Sequence, residues 1–261
     1  MIGELRLFLI ALQFMTRVPV PRWVGFDAEW LNRSARHFAG VGLLVGGFGA
    51  AVLWFAAQLW PMPVAVGLSM AATIWATGAF HEDGFADTCD GLGGAVSRER
   101  ALEIMKDSRI GAYGAIGIAT MLGLKAATLA TLPLNAAVPA LVLGHTVSRA
   151  ATTALMAVLP YAGDAAHAKA KPLAHRIGTT EVVGAGLWVG SVCVGLLALD
   201  VVPASVLGVA FASAAVAATV CERWLRRRLG GFTGDTLGAT QQISELALLL
   251  GGSAALRCGF S

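Results

Sequence analysis

Four carboxylates fall within nine positions in Phe80-His81-Glu82-Asp83-Gly84-Phe85-Ala86-Asp87-Thr88-Cys89-Asp90-Gly91-Leu92, directly after a long apolar run. Asp83, Asp87 and Asp90 are spaced i, i+4, i+7, which puts all three on one face of a helix. Like charges on one face repel unless a cation lies between them. Hard oxygen ligands suit Mg²⁺, Mn²⁺ or Ca²⁺ better than zinc, and Mg²⁺ commonly combines a few carboxylates with substrate phosphate oxygens. The pattern therefore predicts a divalent-metal site held by Glu82, Asp83, Asp87 and Asp90. Gly84 and Gly91 leave room for a phosphate or for close backbone approach. A solvated acidic helix end is the plainer account, but it does not require aspartates in register. His81 reads equally as a partner of the site or as an interfacial residue.

Two further constellations could act beside this ladder. Lys106, Asp107 and Arg109 precede the Gly-rich stretch Gly111-Ala112-Tyr113-Gly114. Fixed cations next to a metal site suit a polyphosphate, and Asp107 could be a further ligand or a general base. Arg98, Glu99, Arg100 and Glu103 read as a solvated helix face. The second constellation runs from Gly230 to Glu245. Asp235 or Thr236 could cap a helix there, and a helix N-terminus behind glycines is also an anion site. Glu245 follows Asp235 by ten residues within an apolar helix. A carboxylate at that depth costs roughly 2.5–3.5 kcal/mol on insertion scales and faces a cavity or a partner. Lys125, His145 and Arg149 are similarly placed in their own apolar runs, and His145 and Arg149 share a helix face. Glu245 either pairs with Lys125 or Arg149 or meets substrate. Lys125 and Arg149 are candidate phosphate ligands, the forked guanidinium being the better of the two. No nucleotide-binding P-loop, GxGxxG or trustworthy Ser-His-Asp order accompanies them.

The elements that must position these residues are membrane helices. Of the 261 residues, 56% are hydrophobic and 13% charged, and the mean hydropathy is +0.70. Soluble domains carry about 25% charged residues. The chain reads as all-α: a polytopic integral membrane helical bundle, forming one unit over 1–261. Seven apolar runs are long enough to span a bilayer, near 38–60, 62–80, 111–132, 137–159, 182–199, 203–222 and 237–256, given about 20 residues per crossing. Residues 3–15 form a short interfacial or bundle-docked helix. Segments 16–37, 81–110, 160–180 and 223–236 hold 15 of the 19 Lys and Arg residues. The positive-inside rule makes that side cytoplasmic and puts the ladder there. Lys169 and Lys171 of segment 160–180 read as topology determinants or as parts of a loop closing over substrate. A net charge of +3 is too small to argue for nucleic acid. The four cysteines have neither paired nor zinc-like spacing.

These residues resemble the cobalamin synthase (adenosylcobinamide-GDP ribazoletransferase) family. The resemblance rests on Gln13-Phe14-Met15-Thr16-Arg17-Val18-Pro19-Val20-Pro21, Phe80–Leu92, Glu103–Gly114 and Gly234–Ala239 with Glu245. It implies a Mg²⁺-dependent phosphotransferase of the bacterial inner membrane, multi-pass, with its active site on the cytoplasmic side. A ribose hydroxyl of α-ribazole or its 5′-phosphate would attack adenosylcobinamide-GDP, releasing GMP and giving adenosylcobalamin or its 5′-phosphate. On this reading Glu82, Asp83, Asp87 and Asp90 hold metal, and Lys106, Arg109, Lys125 and Arg149 contact phosphates. Asp107, Asp235 and Glu245 complete the metal shell or orient the nucleophile. The partners are the two substrates and the lipid bilayer, with no nucleic acid and with homo-oligomerisation left open. A CDP-alcohol-type phosphotransferase is the alternative enzyme and a membrane transporter the alternative non-enzyme.

Overall fold

The computed structural model describes residues 3–163 and 177–259. Lys169, Lys171 and Arg176 lie outside the described residues. Within them the chain folds into helices α1 (Glu4–Met15), α2 (Ala28–Ser34), α3 (Phe38–Ala56), α4 (Met62–Thr77), α5 (Phe80–Leu92), α6 (Arg98–Met105), α7 (Ala112–Thr131), α8 (Leu134–Val158), α9 (Thr179–Ala198), α10 (Ala204–Arg228) and α11 (Gly234–Arg257). No β-strand occurs among the described residues. The all-α bundle expected from composition is what forms.

Each of the seven expected spans is a helix. Five helical segments are long and apolar enough to cross a membrane, or six if α4 and α5 count as one bent span. The run expected at 237–256 is not among them, because Gln241, Gln242 and Glu245 lower the hydropathy of α11. That helix can carry them because protein surrounds it: α11 packs against α10, α5, α8 and α7. Its polar side chains therefore face other helices and not lipid.

The span expected at 62–80 ends early, at Thr77. Gly78 and Ala79 both take left-handed conformations, with φ of 69° and 59°. The chain turns by 89° between α4 and α5. Gly78 adopts this conformation without a Cβ clash. The backbone N–H of Arg17 donates to the Ala76 carbonyl at 2.8 Å, so the Gln13–Pro21 segment is tied to this corner.

Helix α1 is docked on the bundle. Leu7, Ile10, Ala11 and Met15 are buried at the spacing of one helical face. Glu4 lies 3.2 Å from Arg36 and 2.9 Å from His37, and Phe8 packs against Trp188. Small residues let α3 lie along α8: a Cβ on Gly46 would sit 2.8 Å from the Leu141 carbonyl oxygen, as is usual for membrane helices.

Candidate active site

Helices α5 and α11 cross at glycines. A Cβ on Gly84 would sit 2.9 Å from the Asp235 Cα, and one on Gly238 would sit 3.0 Å from the His81 carbonyl oxygen. Only residues without side chains permit this approach. The crossing brings Asp235, at the start of α11, beside the ladder on α5. Asp87 is pushed up to about 7, first by burial and then by Asp235, Asp83 and Asp90. Asp235 is pushed up to about 6 by burial and by Asp83. Both residues lie in segments that the charge map puts outside the spans. Three carboxylates from two distant stretches of sequence thus share one region, with Asp83 exposed and the other two partly buried.

Asp235 is left available for this role because it does not cap its own helix. Thr233 does so: its hydroxyl accepts from the Thr236 N–H at 3.3 Å, and Thr236 Oγ1 accepts from the Thr233 N–H at 2.8 Å. The expected cap, Asp235 or Thr236, is instead Thr233, with Thr236 as its partner in the reciprocal pair.

Asp90 departs from the rest of the ladder. Its two oxygens accept the backbone N–H groups of Gly111 at 2.7 Å and Gly114 at 2.8 Å. It caps the start of α7, where a negative charge also meets the helix dipole. This bond ties α5 to the loop that carries Lys106, Asp107 and Arg109. Within that loop Arg109 Nε donates to Asp107 Oδ1 at 2.9 Å. The pair is exposed, and Arg109 holds the Asp107 carboxyl well below the usual range. Lys106 is exposed and makes no ion pair among the described residues.

Glu82 turns the other way, into the bundle. Its Oε1 accepts from Gln242 Nε2 at 3.0 Å. Lys125, Arg149 and Glu245 lie inside as well, at 5%, 1% and 2% exposure. Lys125 Nζ is 2.6 Å from Glu245 Oε1, so the pairing reading of Glu245 is the one the geometry supports. His145 Nδ1 is 3.6 Å from Glu245 Oε2, and Arg149 Nη1 donates to the His145 carbonyl at 3.0 Å. The sequence-predicted residues therefore divide into three groups. Asp83, Asp87 and Asp235 gather at the α5–α11 crossing. Asp90, Lys106, Asp107 and Arg109 flank it, while Glu82, Lys125, Arg149 and Glu245 form a buried polar core beneath it. Gln241, Gln242 and Ser148 belong to that core and were missed. The glutamines carry a signal, since polar side chains one turn from Glu245 in an apolar helix also need partners.

Among the described residues, no three His, Cys, Asp or Glu side chains converge closely enough to hold a metal ion on their own. Mg²⁺ does not demand such a cage, because water and substrate phosphate commonly complete its six positions. The donor set at the crossing is all carboxylate, and burial together with the neighbouring carboxylates raises the proton affinity of Asp87 and Asp235. Both properties fit a hard divalent cation shared with an anionic substrate.

The family model described as cobalamin-5-phosphate synthase matches residues 7–253. The adenosylcobinamide-GDP ribazoletransferase of Leptothrix cholodnii is 57% identical over 254 residues, covering 96% of each chain. Proteins of the same name from Shewanella amazonensis and Vibrio cholerae are 46% and 42% identical. They cover 95% of this chain and 94% and 93% of their own lengths. No solved structure gives a significant match.

Proposed function

This chain belongs to the cobalamin-5-phosphate synthase family, and on that premise we propose that it is a membrane-embedded adenosylcobinamide-GDP ribazoletransferase. A ribose hydroxyl of α-ribazole, or of its 5′-phosphate, attacks the cobinamide-side phosphorus of adenosylcobinamide-GDP. The phosphorus–oxygen bond to GMP breaks, and the hydroxyl proton passes to a base. The family match sets aside the CDP-alcohol phosphotransferase and transporter alternatives.

The observation that carries the catalytic reading is the meeting of Asp83, Asp87 and Asp235 at the Gly84 crossing. These three carboxylates would hold Mg²⁺. When bound, the ion would neutralise charge on the pyrophosphate and on the departing GMP. Lys106 supplies positive charge at the exposed rim. Arg109 can do the same once an incoming phosphate competes with Asp107 for its fork. Asp107, so released, is a candidate acceptor for the hydroxyl proton. Asp90 holds the loop carrying these groups against α5. Lys125, Arg149 and Glu245 support the site from within and do not contact phosphate on this reading. The charge map favours the cytoplasmic face of the bacterial inner membrane for the whole assembly.

Purified protein in detergent, given both substrates and Mg²⁺, should release GMP in step with product formation. A folded sample that releases none under those conditions would overturn the assignment.

A further inference from the structure

We propose that Gln242 is a positioning residue that sets the rotation of α5, so that Asp83 and Asp87 face Asp235. This inference rests on the reading of those three carboxylates as the working site.

Gln242 is buried, at 2% exposure. It lies seven residues beyond Asp235, roughly 10 Å deeper along α11. Its carbonyl oxygen accepts from Lys125 Nζ at 2.9 Å. Its amide nitrogen donates to Glu82 Oε1 at 3.0 Å and to Gln241 Oε1 at 2.9 Å. Both amide N–H groups are thereby used. Lys125 also meets Glu245, and Gln241 Nε2 donates to Glu245 Oε2 at 2.5 Å. Gln242, Lys125, Glu245 and Gln241 thus close a ring of side chains.

The ring fixes which way the Gln242 amide points. Turned over, it would aim N–H groups at the Lys125 ammonium and an oxygen at the Glu82 carboxylate, and both contacts repel. Glutamine suits this position because it offers an acceptor to a cation and donors to a carboxylate from one planar group. The ring hands one directed donor to α5, and Glu82 takes it.

Glu82 is the only ladder residue turned into the bundle, and Asp90 is fixed at the other end by Gly111 and Gly114. Helix α5 is therefore pinned at both ends, with Asp83 and Asp87 between the pins. Its contact with α11 runs through Gly84 and Gly238 at the crossing and through Phe85, which shares an apolar cluster with Ala239 and Leu246. The break at Gly78–Ala79 also frees its start from α4. Buried His81 and the Phe80–Phe14 edge contact at 5.2 Å hold the first turn by packing, and the Gln242–Glu82 bond adds the directed polar constraint on its rotation. A misplacement of about 1 Å at reacting groups can cost around 100-fold in rate.

The test compares Gln242→Leu with Ser148→Ala and with the exchange Glu82→Gln/Gln242→Glu. Ser148→Ala removes a buried hydrogen bond from the same network, the one Gln241 Nε2 donates to Ser148 Oγ at 2.9 Å, but leaves α5 untouched. The exchange keeps the total charge and the hydrogen bond between positions 82 and 242. Two readouts are taken in detergent: amide hydrogen exchange over 80–92, which needs no activity, and kcat and KM for GMP release. The expected result for Gln242→Leu is faster exchange in α5 and a fall in kcat of about 10- to 100-fold with KM little changed. Ser148→Ala should leave both readouts near wild type, and the exchange should recover most of the lost kcat. Unchanged exchange in Gln242→Leu would overturn the proposal, as would an equal effect of Ser148→Ala. If Gln242→Leu does not fold, the Glu82→Gln/Gln242→Glu protein decides: wild-type-like protection of α5 supports the role, and loss of that protection contradicts it. Wild-type protein that releases no GMP would sink the catalytic reading, while the hydrogen-exchange comparison would still judge the Gln242 contact.

Discussion

Gly84 and Asp235 lie in backbone contact: a Cβ added to Gly84 would come within 2.9 Å of the Asp235 Cα and of its carbonyl oxygen. This contact joins two motifs 151 residues apart. Because the obstacle is backbone, it cannot swing aside. Gly84→Ala should force α5 away from α11 and cost about 1–3 kcal/mol, as overpacking does. Loss of GMP release should exceed what the drop in thermal midpoint explains. A fully active Gly84→Ala protein would show that the approach does not matter.

The three gathered aspartates and Asp90 should behave differently. Asp83→Asn and Asp87→Asn should each lower kcat by at least about 100-fold, the scale for removing one preorganised charge partner, in protein that still inserts and folds. Asp90→Asn keeps an acceptor for the start of α7 and should retain most activity. Asp90→Ala should lower stability by about 0.5–2 kcal/mol through loss of the cap. Parallel turnover and melting measurements separate the two classes, and equal catalytic losses at all four positions would remove the distinction.

The buried Lys125–Glu245 pair should show the asymmetry of buried charges. Lys125→Met alone strands a carboxylate in the bundle and should destabilise by about 3–5 kcal/mol. Adding Glu245→Gln removes the stranded charge and should restore a large part of that loss. Thermal unfolding in detergent reads both. A double variant no more stable than Lys125→Met would show that the pair is not coupled as its 2.6 Å separation implies.

Local pattern made part of this site legible in the sequence. The ladder's spacing announced a helix with acidic residues on one side, and α5 is that helix. The depth of Glu245 announced a buried partner, and Lys125 is one of the two residues expected. What local pattern could not carry was the tertiary fate of each group. Asp90 has the spacing of a ladder rung, yet the start of α7 draws it away. Arg98 has the look of a solvated helix residue, yet its guanidinium donates to the Leu229 carbonyl at 2.7 Å and the Ala162 carbonyl at 3.1 Å. The break after Thr77 falls among small apolar residues that read as continuous span, because a left-handed backbone pair leaves no mark on hydropathy. Gln241 and Gln242 carry no charge, so the amides that organise the core leave no mark in the pattern of buried charges.

The proposed site joins Asp235 of α11 with Asp83 and Asp87 of α5 around one metal ion. The most direct measurement is the Mg²⁺ concentration giving half-maximal GMP release in wild-type and Asp235→Asn protein, with EDTA added at the end of each titration. EDTA should abolish activity and excess Mg²⁺ restore it, and the requirement should rise about 10-fold or more in Asp235→Asn. GMP release that persists in EDTA, or an Asp235→Asn protein with an unchanged Mg²⁺ requirement, would contradict the shared site.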